Sequence, residues 1–234
     1  MMAGQLPLDL RHRAALGKAD FVVAEGNRDA VAWLDRWPDW PASALVIYGP
    51  AGCGKSHLVA VWRAQSGARA LSADQLTSEA VAPLIEGRGH LVLDDAENSV
   101  AAGGESAETA LFHLYNALKA RGDTMLLTAR TPPARWALAL PDLASRLGAL
   151  PAIAVAQPDD ELMAAVLAKL FADRQLAVDR RVIDYIAARM ERSFASARQL
   201  VDVLDREALA RQRRITRPLA AELLERLETR PHAG

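Results

Sequence analysis

Cysteine is almost missing from this chain: Cys53 is the sole one. An internal disulfide is excluded, and with it the small oxidised scaffolds of secreted domains. A zinc site is excluded too, because His12, His57, His90, His113 and His232 are scattered without metal-ligand spacing to that cysteine. No apolar run approaches the length of a membrane span, and the N-terminus lacks the basic and then apolar regions of a signal peptide. A cytoplasmic protein with no membrane partner is the expectation. Excess charge of one sign is also lacking. A net charge of −1 leaves no chain-wide electrostatic footprint for nucleic acid, only room for a local basic patch.

What is present is apolar residue, 51% of 234, ample for one large domain or a main domain with a smaller companion. The strongest local signal is Gly49-Pro50-Ala51-Gly52-Cys53-Gly54-Lys55-Ser56, which fits G-x-x-x-x-G-K-[ST] at every fixed position. Leu45 to Tyr48 before it reads as a buried strand, and His57 to Gln65 after it as the start of a helix. Glycines let the backbone curl so that successive N–H groups face a phosphate, and the helix N-terminus adds its positive end. Lys55 reaches the β- and γ-phosphates of a nucleotide and Ser56 ligates Mg²⁺ in this reading.

Further strands are expected at Arg69–Ser72, His90–Leu93, Thr124–Thr128 and Ile153–Val155, alternating with helices at Asp74–Ile85 and Glu108–Ala120 and a loop at Gly103-Gly104. That alternation implies a parallel sheet with helices on both faces. His90-Leu91-Val92-Leu93 ends in Asp94-Asp95, where Asp94 is the candidate Mg²⁺ partner and Asp95 the candidate for polarising a water. At the tip of the next strand, Thr128 or Arg130 is placed to sense a γ-phosphate. Trp37 and Trp40 read as packing rather than a base-stacking platform, since only Arg36 interleaves with them.

From Pro158 the strand signals stop. Asp159 is placed to cap a helix through Leu170, and further helices follow at about Arg180–Met190, Ala195–Arg211 and Pro218–Leu227. Arg211-Gln212-Arg213-Arg214 lies near one helix end, where cations suit the dipole. At the other end of the chain, Gln5-Leu6-Pro7-Leu8-Asp9-Leu10 cannot start a helix because Pro7 discourages helical geometry at Leu6. It either fills another protein's groove as an extended segment or packs its leucines on its own domain.

Together these residues resemble the AAA+ family and, within it, the DnaA-type branch. Phe21-Val22-Val23…Gly26-Asn27 is similar to that branch's opening segment, Gly49–Ser56 to Walker A and Leu91–Asp95 to Walker B in its Asp-Asp form. Leu127-Thr128-Ala129-Arg130 falls at sensor 1, with Arg130 where the branch usually has an acidic residue. Ser145-Arg146-Leu147 falls at the arginine-finger segment and Ala197-Arg198-Gln199-Leu200 at sensor 2. The hexapeptide Gln5–Leu10 is similar to the sliding-clamp-binding motif.

The resemblance implies an α/β AAA+ P-loop NTPase: a parallel five-stranded sheet flanked by helices, plus a C-terminal all-helical lid. The expected divisions are a tail over 1–20, a nucleotide-binding domain over 21–157 and a lid over 158–234. It implies ADP or ATP with Mg²⁺, held by Val22, Val23, Gly49 to His57, Thr128 and Arg198, with Ser56 and Asp94 on the metal. It also implies a negative regulator of replication initiation with at most weak ATPase activity of its own. Its expected partners are DnaA, the DNA polymerase III sliding clamp through Gln5, Leu6, Pro7, Leu8, Asp9 and Leu10, and a further copy in a homodimer or oligomer. Arg146 would act in trans on the ATP of DnaA. No recognition helix follows the lid, so no sequence-specific DNA binding is expected. Two alternatives stand beside this reading. One is an ATP-driven helicase loader or remodeller. The other is a small-molecule kinase, which would carry an arginine-rich lid loop between strands rather than a separate helical domain.

Overall fold

Short apolar runs bounded by turns form the strands of the sheet, and the three central ones are buried on both faces while the edge strands are partly exposed. The computed structural model describes residues 23–228; Val22 and Gln5–Leu10 lie outside them. After α1 (Arg28–Asp35), β1 (Ala44–Tyr48) leads into α2 (Lys55–Ser66), then β2 (Arg69–Leu71), α3 (Ser78–Glu86), β3 (Leu91–Leu93), α4 (Ala96–Arg121), β4 (Met125–Ala129), α5 (Pro141–Gly148) and β5 (Ala152–Ala154). The five strands are all parallel, in the order β2-β3-β4-β1-β5. Four helices follow without a strand: α6 (Asp160–Asp173), α7 (Arg180–Ala187), α8 (Phe194–Ala210) and α9 (Arg217–Glu228).

The chain forms two compact units. Among the described residues, one gathers residues 23–48 with Ser56–Ala154; the other gathers Gly49–Lys55 with residues 155–228. In the first, alternate residues Val46, Leu91, Leu93, Met125 and Leu127 pack against Leu111, Leu114 and Leu118 of α4 and Leu143 and Leu147 of α5. Their neighbours Leu45, Ile47, Val92 and Leu126 are equally buried, and strand geometry turns them to the opposite face. The tryptophans are packing residues. Trp40 stacks on Trp62 with centroids 5.3 Å apart. Trp37 meets the edges of Trp62 and His90 and donates its indole N–H to Thr124 Oγ1 at 3.0 Å.

Two local differences from expectation have clear causes. Helix α4 starts at Ala96 rather than Glu108 and is two helical segments joined across a kink at Gly104 (φ 56°, ψ −145°), so the glycine pair breaks the helix without opening a longer loop. A glycine accepts that conformation at little cost. Beyond it, the buried Glu108 carboxylate accepts the N–H groups of Ala139 (3.0 Å) and Leu140 (2.6 Å), tying α4 to the segment before α5. The helix expected from Asp74 is divided into a short 3₁₀ turn, Ala73–Gln75, and α3, because Thr77 caps α3 through its hydroxyl to the Ala80 N–H at 3.2 Å.

In the second unit, Met163, Leu167 and Phe171 of α6 pack with Ile183 and Ile186 of α7, Leu200 and Leu204 of α8 and Leu223 of α9. Polar caps set where three of these helices begin: Asp159 accepts from the Leu162 N–H at 2.7 Å, Asp179 from Arg181 at 2.8 Å, and Ser193 from Ala195 at 3.2 Å. None of the helices described is long and apolar enough to cross a membrane.

Candidate nucleotide-binding site

The loop Gly49–Lys55 joins β1 to α2, so its last residues are also the first turn of a 12-residue helix. Free N–H groups and the positive end of the dipole meet there. Gly52 and Gly54 hold φ of 74° and 102°, a conformation that side chains disfavour. Space forbids a side chain as well: a Cβ on Gly52 would lie 2.8 Å from Ser193 Oγ, and one on Gly54 2.9 Å from the Phe194 ring. The Lys55 ammonium folds back along the loop and donates to the carbonyls of Gly49 (2.7 Å) and Pro50 (2.8 Å). Its charge is thereby held over the loop's own backbone. Cys53 is buried beneath, and burial pushes its thiol up against the opposing pull of Lys55, so it stays protonated at neutral pH.

A second cluster forms where β3 and β4 end. Leu93 and Leu127 are in register, which sets Asp94 beside Thr128 one residue further along. Thr128 is fully buried; its hydroxyl donates to Asp94 Oδ1 and accepts the Asp95 N–H at 2.9 Å. The other Asp94 oxygen, Oδ2, accepts from Ser56 Oγ at 3.3 Å. Two exposed oxygen donors, a hydroxyl and a carboxylate, thus lie side by side. Asp95 sits in the left-handed region (φ 53°, ψ 45°) as the residue preceding α4, and its carboxylate accepts from Asn98 Nδ2 at 2.7 Å.

Glu97 is a member of this cluster that sequence reading missed. Its carboxylate accepts the N–H of Arg130 (3.2 Å), the N–H of Thr131 (3.0 Å) and the Thr131 hydroxyl (2.9 Å). The first turn of α4 therefore straps the loop after β4. Its signal was available as an acidic residue in the first turn of a helix that follows an Asp-Asp strand end. Arg130 is fixed through its backbone, and its side chain is exposed.

His57 is half-buried on α2, Val23 is half-buried before α1, and Arg198 is exposed on α8. Arg146 on α5 is half-buried with its guanidinium 4.8 Å from the centroid of Phe112. No group of three or more His, Cys, Asp or Glu side chains that could hold a metal occurs among the described residues. An open cleft of about 450 Å³ lies in the sheet-bearing unit, between Trp33 of α1 with Arg36 just after that helix and Tyr48 and Ile153 of the sheet, with Arg36 over the Trp33 ring.

A five-stranded parallel sheet with this loop after β1, a carboxylate pair after β3 and a following helical unit gives the chain a DnaA-like AAA+ fold. Domain III of the Thermotoga maritima replication initiation protein DnaA is similar over 88% of this chain and 94% of its own, with a TM-score of 0.75 and 20% identity. AMPPCP-bound DnaA from Aquifex aeolicus is similar over 84% of this chain and 66% of its own, with a TM-score of 0.66 and 21% identity. The FIGL-1 AAA domain in complex with ADP matches over 91% and 84%, with a TM-score of 0.65 and 17% identity. More particularly, residues 159–224 match the family model of the Hda lid domain. The helical unit thus resembles the Hda lid domain, and the chain as a whole has a DnaA-like AAA+ fold.

Proposed function

We propose that this chain is a nucleotide-loaded regulator of replication initiation that works on DnaA. The observation carrying this reading is the Hda-type lid over residues 159–224 joined to a DnaA-like AAA+ fold. In this reading the N–H groups of Gly49–Ser56 and the Lys55 ammonium hold the phosphates of ADP or ATP, as a loop at a helix N-terminus suits an anion. Val22, Val23 and His57 border the nucleotide, and Arg198 and Thr128 approach its phosphate end. Mg²⁺ keeps most of its waters and takes few protein oxygens, so the adjacent Ser56 hydroxyl and Asp94 carboxylate fit it. Because Thr128 is bound to Asp94 and Asp95, its contribution here is to hold Asp94 toward the metal.

Gln5–Leu10 tethers the chain to the sliding clamp, and the lid and tail flank the nucleotide-binding domain as the expected parts 158–234, 1–20 and 21–157. Arg146 supplies a guanidinium to the ATP of DnaA. Phe112 holds that guanidinium by its ring face, which leaves the N–H edge available to a phosphate. Charge developing on the transferred phosphoryl group is stabilised by such a group by about 10³–10⁵ in rate. An alternative, an ATP-driven loader, is favoured by the Ser56–Asp94 pair with Asp95 beside it, a set that serves the chain's own hydrolysis.

Single-turnover hydrolysis of DnaA-bound ATP, with clamp loaded on DNA, separates these readings. The parent chain should stimulate it. Arg146→Ala should bind nucleotide and clamp yet fail to stimulate, and Gln5→Ala with Leu8→Ala should fail only through lost clamp binding. Lys55→Ala should lose nucleotide itself. Full stimulation by Arg146→Ala removes the finger from this residue, and rapid turnover by the chain alone favours the loader.

A further inference from the structure

The lid's arginines differ in whether a carboxylate pairs with them. Arg174, Arg180, Arg192, Arg211 and Arg226 each pair with a carboxylate. Arg211 is held by both Glu207 and the two oxygens of Glu222, so the first member of the Arg211–Arg214 cluster is neutralised within the lid. Arg181, Arg189, Arg213, Arg214 and Arg217 are exposed, and none has a carboxylate within ion-pair distance among the described residues.

Two of these unpaired arginines meet at one side chain, Tyr185. Arg181 and Tyr185, at i and i+4, share a face of α7, and Arg189 follows in the turn just past its end. The guanidinium of Arg189 lies 4.0 Å from the Tyr185 centroid, and that of Arg217, from the first turn of α9, lies 4.5 Å from it. Two guanidiniums that close to one centroid are nearer to each other than a Debye length of ~10 Å at 0.1 M salt. They repel, and neither can lose its proton. The acids nearby are engaged elsewhere: Asp179 with the Arg181 N–H, Asp184 with Arg180, and Glu191 with the Ser196 hydroxyl. Arg217 also places a cation at a helix N-terminus, the end where the dipole favours an anion.

We infer that the face formed by Arg181, Tyr185, Arg189 and Arg217, with Arg213 and Arg214 leading into it, binds the phosphate backbone of nucleic acid. Stacking on Tyr185 orients the guanidinium planes before a phosphate arrives, so little rotamer freedom is lost on binding, and planar forks match phosphate oxygens in pairs. A bound phosphodiester relieves the repulsion between the stacked cations. The contact is weak, non-specific and strongly salt-dependent, since it reads only the backbone.

The test measures binding of the full chain to a short labelled duplex and to the matching single strand by fluorescence anisotropy, between about 50 and 200 mM salt. Arg189→Gln with Arg217→Gln should lower the slope of log affinity against log salt by about 0.9 per lost contact on duplex and about 0.7 on single strand. Arg174→Gln with Arg226→Gln removes the same charge at paired positions and should leave the slope unchanged. Thermal melting and nucleotide retention verify that both variants fold. Equal losses in the two double variants would trace binding to net charge and overturn the inference. So would a parent chain that ignores both oligonucleotides, or one that is retained only on polyglutamate, which would assign these arginines to an acidic protein surface.

Discussion

In the sheet-bearing unit, Glu97, Glu108 and Thr128 hydrogen-bond to loop backbone or to a neighbouring carboxylate, whereas in the lid Asp159, Asp179 and Ser193 cap helices and other acids pair with arginines at the surface. The first arrangement fixes loop geometry around a carboxylate and a hydroxyl. The second leaves the fold of the helices to apolar packing and lets surface charge vary with little structural cost. A side chain that matters for shape in one unit therefore has a counterpart in the other that matters for charge.

The largest effect should come from the lid's apolar centre. Leu204 is fully buried among the core residues of all four lid helices. Leu204→Ala should cost about 2–5 kcal/mol through lost transfer energy and a residual cavity. Hydrogen exchange should show lost protection across α6 to α9. Equal loss throughout β1 to β5 would show instead that the two units unfold as one.

Thr128→Val tests the other side of the comparison. It keeps the shape but leaves the buried Asp95 N–H without its acceptor and Asp94 without the hydroxyl. A loss of about 1–3 kcal/mol is expected in urea denaturation, with weaker Mg²⁺-dependent nucleotide binding. Thr128→Ser should recover both. If the Thr128→Val variant unfolded and bound nucleotide like the parent, the polar network would be ornamental to the site.

The smallest effect belongs to the lid surface. The hydrogen bonds from Arg211 hold the Glu222 carboxyl below its ordinary value of 4.5. A carboxylate depressed in the folded state stabilises it above the unfolded value, and that stabilisation is lost as pH falls through the folded one. Both partners are solvent-exposed, so the melting difference between the parent and Glu222→Gln should be slight at neutral pH. It should fade to nothing as the pH falls below 4.5 and through the depressed folded value. A large difference persisting in that acid would show that packing, not charge, holds this pair.

Much of this was legible along the chain. The phosphate loop, the Asp94-Asp95 strand end and the Asp159 cap are local patterns, in which neighbouring residues satisfy each other's geometry. The buried strands were visible for the same reason, since each centres on an apolar run, Ala44–Ile47 in β1, Leu91–Leu93 in β3 and Met125–Leu127 in β4. Glu97 and Glu108 were not visible in these roles, because their partners lie more than 30 residues away in sequence. Gly103-Gly104 was read as a loop because propensity disfavours glycine in helices. The chain does leave helical geometry at Gly104; only the helical segment before it, packed through Val100 as the later one is through Leu111, went unread.

The sequence by itself determined the phosphate loop, the five strands and the change to an all-helical region, because each rests on spacing within one segment. Only the tertiary structure decided which polar groups are engaged with one another. It turned Thr128 onto Asp94, gave Arg130 and Thr131 to Glu97, and seated Arg146 on Phe112. It also neutralised Arg211 while leaving Arg189 and Arg217 together on Tyr185. The physical reason is range: a helix or strand pattern is set by residues within a few positions, whereas a hydrogen bond or ion pair is set by whatever folding brings within about 3 to 4 Å, which no local spacing specifies.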